Sequence, residues 1–155
     1  HKVQPDLGAL IAWNLDNGEK RIQFVNGMAA NDPVSTLQIW KFVIDRYPGE
    51  GGTCVFFNSR DDRPVRTRQM IELTLKEIKP DHFIIRGNKL QSTLNRLAYH
   101  SPTTKIQTTG LNDDIGSTVE MLVSLPHDTL IYAIGNQVGA GQEILTQISK
   151  YRHYG

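Results

Sequence analysis

The chain holds 155 residues with 17 basic against 16 acidic side chains, a formal net charge of +1, so its charge implies no attraction to nucleic acid or another polyanion. Its lone cysteine, Cys54, leaves no internal disulfide to form, the histidines His82, His100, His127 and His153 lack the spacing of metal ligands, and no apolar run is long enough to span a membrane. A length of this order suits one domain, residues 1–155, and the start at His1 with no signal-peptide pattern fits an excised piece of a protein kept in a reducing compartment.

Residues 8–14 and 20–25 predict two strands around Asp16-Asn17-Gly18, a hairpin turn signal. Asp32 precedes Pro33, which keeps it out of helical dihedrals and suits it to an N-cap, with the proline at the first helical position. Leu37, Trp40, Ile44 and Tyr47 then fall on one face of a helix over 33–47. The unbroken run Val55-Phe56-Phe57 marks a buried strand over 53–58, in which Cys54 is a small hydrophobe. A helix over 64–78 aligns Ile71, Leu75 and Ile78, a short strand over 82–86 contains Phe83, Ile84 and Ile85, and a helix over 89–99 offers Leu90, Leu94 and Leu97. Residues 105–108 give the least marked strand signal. A helix capped at Asn112 or Asp113 follows, with Ile115, Val119 and Leu122 inward. The last strand covers 129–134, and a helix from Gly139 packs through Ile144, Ile148 and Tyr151. Lys150, Arg152 and His153 suit a solvated helix end, and Trp13 and Trp40 suit packing rather than stacking platforms. Alternating β and α segments with apolar strands predict an α/β fold: a mostly parallel sheet, helices on both faces, and an N-terminal β-hairpin.

In such a sheet ligands bind beyond the carboxyl ends of the strands. Three strand-to-helix turns there are unusually polar: 26–35, 58–66 and 135–141. The first leaves Asn26, Asn31, Asp32 and Ser35 around a positive helix end, where capping is the simpler reading and ligand contact the other. The second spaces Arg60, Arg63 and Arg66 by three, so their guanidinium forks can gather on one side of a helix start and grip carboxylates or phosphates. Pairing with Asp61 and Asp62 on a solvated rim is the competing reading. The third, Gly135-Asn136-Gln137-Val138-Gly139-Ala140-Gly141, brings backbone amides to a helix entrance. No Walker A pattern and no Gly-x-Ser-x-Gly elbow occurs in the chain.

The blocks from Phe24 to Lys41, Asn58 to Met70 and Ile131 to Tyr151 together resemble the C-terminal domain of poly-γ-glutamate synthase, the Mur ligase-like subunit that makes γ-linked glutamate capsule polymer in bacteria. Asn58, Arg60, Asp62, Arg63, Arg66, Thr67 and Gln69 fit that family's Asn-x-Arg-x-Asp-Arg-x-x-Arg-Thr-x-Gln pattern. One departure is Ile11, in Asp6-Leu7-Gly8-Ala9-Leu10-Ile11, where the family's segment ends in arginine. The resemblance implies a Rossmann-like domain of an ATP-dependent ligase working through an acyl phosphate. ATP and Mg2+ would be held mainly by an upstream domain, leaving the isolated chain inactive. It implies Arg60, Arg63 and Arg66 as carboxylate or phosphate contacts, Asn136 and Gly139 as the glutamate pocket, and Asn31, Asp32 and Asn58 near the nucleotide. Expected partners are glutamate or the growing polymer, the upstream ATPase domain, membrane subunits of the synthase and further copies of the chain, at the cytoplasmic face of the membrane. The alternatives are a non-catalytic module that binds glutamate or an anionic polymer, and an assembly domain of the synthase complex.

Overall fold

The computed structural model describes residues 12–30 and 32–153. The first expected strand therefore lies partly outside the described residues, as do Asn31 and the segment ending at Ile11. The hairpin joins β1 (Ala12–Asp16) to β2 (Arg21–Asn26) in antiparallel register. Its turn lies one residue later than expected. Asp16 ends β1, and the Asn17 side chain shapes the turn by accepting from the Glu19 and Lys20 amides at 2.9 and 2.8 Å. Gly18, at φ 95°, supplies the left-handed residue the turn requires.

Thereafter strand and helix alternate: α1 (Pro33–Arg46), β3 (Thr53–Asn58), α2 (Pro64–Leu73), β4 (His82–Arg86), α3 (Gln91–Leu97), β5 (Lys105–Thr109), α4 (Ile115–Val123), β6 (Leu130–Gly135) and α5 (Ala140–Ser149). The sheet runs β1-β2-β6-β3-β4-β5, parallel at every pairing except the hairpin. The strands alternate their side chains between two cores. Val55 and Phe57 join the core that α1, α2 and α3 cover, whereas Cys54 and Phe56 join the core under α4 and α5. Both faces of the central strands are thus shielded, which is why β3 reads as a continuous apolar run. Burial pushes the Cys54 thiol pKa far up, as befits a core hydrophobe rather than a nucleophile.

Several local expectations shift. The inward stripe of α1 is Thr36, Ile39, Trp40 and Val43, with Leu37, Ile44 and Tyr47 only partly buried. The stripe turns because the Tyr132 hydroxyl, buried in β6, donates to the Thr36 carbonyl at 2.8 Å and Trp40 stacks on the same ring at 5.6 Å. The helix over 64–78 widens to π geometry at Thr74–Ile78, where Lys79 N–H bonds the Thr74 carbonyl at 2.8 Å and Lys79 takes a left-handed φ of 50°. The cap of α4 is Asp114, not Asn112 or Asp113, because the Asp113 carboxylate is engaged by the Gly110 amide at 2.8 Å. Nor is the C-terminal end of α5 simply solvated. Residues 151–153 run back along the edge of β1, with Leu15 bridged to Arg152 and the Arg152 guanidinium 4.8 Å from the Trp13 ring centre. That contact covers a strand edge otherwise open to pairing with another chain.

Candidate anion cleft at the carboxyl edge of the sheet

The crossovers decide where a site can form. The helices after β2 and β3 leave onto one face, while the helix after β6, the strand between them, leaves onto the other. Connections that diverge in this way open a crevice beyond the strand ends. A cleft of about 400 Å³ lies there, lined by Asp32, Asn58, Arg60, Arg63, Arg66 and Asn136 among others. Six of the eight residues expected at a site are therefore brought together. Gly139 instead caps the neighbouring α5, and Asn31 lies outside the described residues.

Each turn builds its part locally. Asp32 caps α1 with both carboxylate oxygens, accepting from the Ser35 amide at 2.8 Å and the Ser35 hydroxyl at 2.9 Å. The amide bond, chiefly, holds its carboxyl below the ordinary 3.8, with smaller help from the Ser35 hydroxyl and the charge of Arg66 against an opposing desolvation. The cap geometry is displayed directly; a nucleotide contact by Asp32 would be additional to it.

In the second turn the arginines meet two fates. Arg60 forms a bidentate pair with Asp62, Nε at 2.9 Å and a terminal nitrogen at 2.8 Å, with side chains 41% and 64% exposed. That bond raises the Arg60 pKa and lowers that of Asp62. Asp61 turns elsewhere, accepting from the Asn88 amide at 3.1 Å. Arg63, the residue before α2, and Arg66, in its first turn, make no side-chain hydrogen bond or ion pair among the described residues. Two guanidinium groups with free donors thus face the same cleft, beside one that is paired.

The third turn is tied to the other two. Asn58, only 1% exposed, donates from Nδ2 to the Asn136 carbonyl at 2.7 Å, and the Asn136 amide returns a bond to the Asn58 carbonyl at 2.8 Å. Asn26 reaches Gln137 at 3.4 Å. Gly135 is obligatory here: its φ is 102°, and a Cβ would lie 2.3 Å from the Asn58 carbonyl oxygen. Asn58 accordingly supports the cleft from beneath. The sequence pattern passed over Ser59, buried with its hydroxyl on the Arg86 carbonyl at 2.9 Å, and Arg86 itself. A charged residue ending the apolar strand Phe83-Ile84-Ile85 was the available signal. Among the described residues, no group of three or more His, Cys, Asp or Glu is placed to hold a metal ion.

The same type of fold recurs in solved structures of other chains. A domain from a protein described as a UDP-N-acetylmuramate:L-alanyl-γ-D-glutamyl-diaminopimelate ligase of Haemophilus ducreyi superposes with TM-score 0.53 at 14% identity, covering 82% of this chain and 91% of that one. A murein peptide ligase from Psychrobacter arcticus gives TM-score 0.56 at 11% identity, covering 92% and 30%. These define a Mur ligase-type fold. The narrower assignment comes from sequence. Residues 13–151 match the poly-gamma-glutamate synthase CapB C-terminal domain, and the chain belongs to that family. It is 34% identical over 153 residues to the PGA synthase CapB of Bacillus subtilis and 32% identical over 150 residues to the capsule biosynthesis protein CapB of Bacillus anthracis. Those matches cover 96% and 94% of this chain but only 38% and 32% of the relatives.

Proposed function

We propose that this chain is the substrate-positioning domain of an ATP-dependent amide ligase that joins glutamate through γ-linkages by way of an acyl phosphate. The observation that carries the reading is the pair Arg63 and Arg66, which make no ion pair or side-chain hydrogen bond among the described residues and line a cleft at the sheet's switch point. Guanidinium forks outside ion pairs suit a guest rich in carboxylates or phosphates. Membership of a polyglutamate synthase family favours glutamate, or the end of its polymer, as that guest.

In this reading Arg60, Arg63 and Arg66 take carboxylate or phosphate oxygens, and Asn136 and Gly139 shape the end of the pocket. Asn31 and Asp32 are assigned to the nucleotide, with Asn58 holding the Asn136 turn. ATP, bound with Mg2+ mainly by an upstream domain, would supply the phosphoryl group that activates a carboxylate. The residues of this chain orient the glutamate amine toward the activated carbon and help keep water from it. Their contribution is positional and electrostatic, so the chain alone is inactive. Val34, Val65 and Val138 are 53, 55 and 77% exposed at the helix entrances around this rim, an apolar margin that supports a covering domain. Membrane subunits at the inner face of the membrane, and further copies of the chain, are the other partners the reading extends to.

Calorimetric titration of the chain with glutamate tests the assignment. The Arg60→Ala/Arg63→Ala double variant should bind at least about tenfold more weakly, the scale of losing a charge-assisted contact. Equal affinity in the double variant would remove those arginines from the site.

A further inference from the structure

Arg86 ends β4 with only 4% of its surface exposed, and none of the ion pairs among the described residues includes it. A guanidinium held away from water without a carboxylate is unfavourable in itself, so its donors or its field must serve something nearby. One terminal nitrogen donates to the Leu111 carbonyl in the turn after β5. The other donates to Asn58 Oδ1 at 3.5 Å, and Nε has no hydrogen-bond partner among the described residues. Asn58 thus lies between the two, its oxygen toward the guanidinium and its Nδ2 on the Asn136 carbonyl at 2.7 Å. Arg86, Leu111, Asn58 and Asn136 also share the wall of a shallow trough alongside the main cleft.

We infer that Arg86 is a positioning residue for the anion cleft. It orients Asn58 and through it the turn that opens α5, and it places a buried guanidinium, outside every ion pair among the described residues, behind Asn58. In a poorly screened interior such a charge favours an anion in front of it more than a surface lysine would. The inference rests on the reading that the cleft receives glutamate, and it adds a residue that acts on the guest through others.

Two variants separate geometry from charge. Arg86→Met keeps much of the volume and loses both donors and charge; Arg86→Lys keeps the charge and loses the fork. In nuclear magnetic resonance spectra of the 155-residue chain, the side-chain amide signals of Asn58 should shift and lose exchange protection in both variants. Glutamate affinity should fall about tenfold in Arg86→Met and by less in Arg86→Lys. Unchanged Asn58 signals overturn the positioning role. So does unchanged affinity in Arg86→Met while Arg60→Ala/Arg63→Ala loses binding. Should Arg86→Met fail to fold, Arg86→Lys decides by the same two readouts. If the unsubstituted chain does not bind glutamate, the reading of the cleft falls, and the Asn58 signals still decide whether Arg86 orients that amide.

Discussion

Asp32 shows how one residue's chemistry is set by its immediate neighbours. A side chain before proline is held extended, a carboxylate suits the unsatisfied amides of a helix start, and Ser35 supplies two donors to it. The cap was legible from Asp32-Pro33; that the Ser35 hydroxyl joins its amide on the carboxylate was seen only in the structure. Replacing Asp32 with alanine should cost roughly 1 kcal/mol of stability by thermal or urea unfolding. The pH dependence has a definite sign. The folded-state pKa lies below the ordinary 3.8, so this stabilisation is present above 3.8 and is lost as pH falls through the depressed value. The variant's stability deficit should therefore shrink on acidification below 3.8. Arg60 shows the opposite case. Spacing offered both a ligand contact and a rim pair with an acid, and only the turn's conformation, which brings Asp62 within 2.8 Å, showed that this arginine is paired while Arg63 and Arg66 are not.

At the scale of elements, periodicity located the helices and strands well and their ends less well. The strands at 53–58 and 82–86 have the expected bounds, because apolar runs shielded on both faces have abrupt limits. The end of α2 was not readable, since the widening at Thr74–Ile78 depends on the Thr74 hydroxyl bonding the Met70 carbonyl at 2.8 Å and on Lys79 closing the turn in a left-handed conformation. A lysine at that φ carries backbone strain that glycine does not. Lys79→Gly should accordingly stabilise the protein by about 1 kcal/mol in chemical denaturation; a loss of stability would show that the lysine side chain contributes more than the strain costs. The tail at 151–153 is a similar case. Its basic residues suggested a helix end in solvent, yet two backbone bonds, Asp16 N–H to the Tyr151 carbonyl at 2.8 Å and His153 N–H to the Asn14 carbonyl at 2.7 Å, stitch it to β1.

Across the whole molecule, a formal net charge of +1 says nothing of where the arginines outside ion pairs lie. Arg63, Arg66 and the buried Arg86 stand at one edge of the sheet outside every ion pair among the described residues, with Asp32, Asp61 and Asp62 near them, while those ion pairs are exposed and local. Binding and folding should therefore respond differently to salt. Glutamate affinity should fall several-fold between low ionic strength and 1 M, where the screening length is only about 3 Å. The melting temperature should change little, because exposed pairs contribute little to stability. Affinity independent of salt would argue against an electrostatic cleft.

Composition and apolar periodicity by themselves determined the α/β class, the order of elements and the three turns where polar residues collect, because burial leaves a regular imprint on a chain. The motif residues determined the family in the same way. Which helices share a face, and hence that β6 lies between β2 and β3 and opens a crevice there, was decided only when distant strands paired. The tertiary structure alone also decided which arginines stay outside ion pairs and that the buried Arg86 meets Asn58, since such contacts depend on chain-distant neighbours: Asn58 is 28 residues from Arg86 and 78 from Asn136.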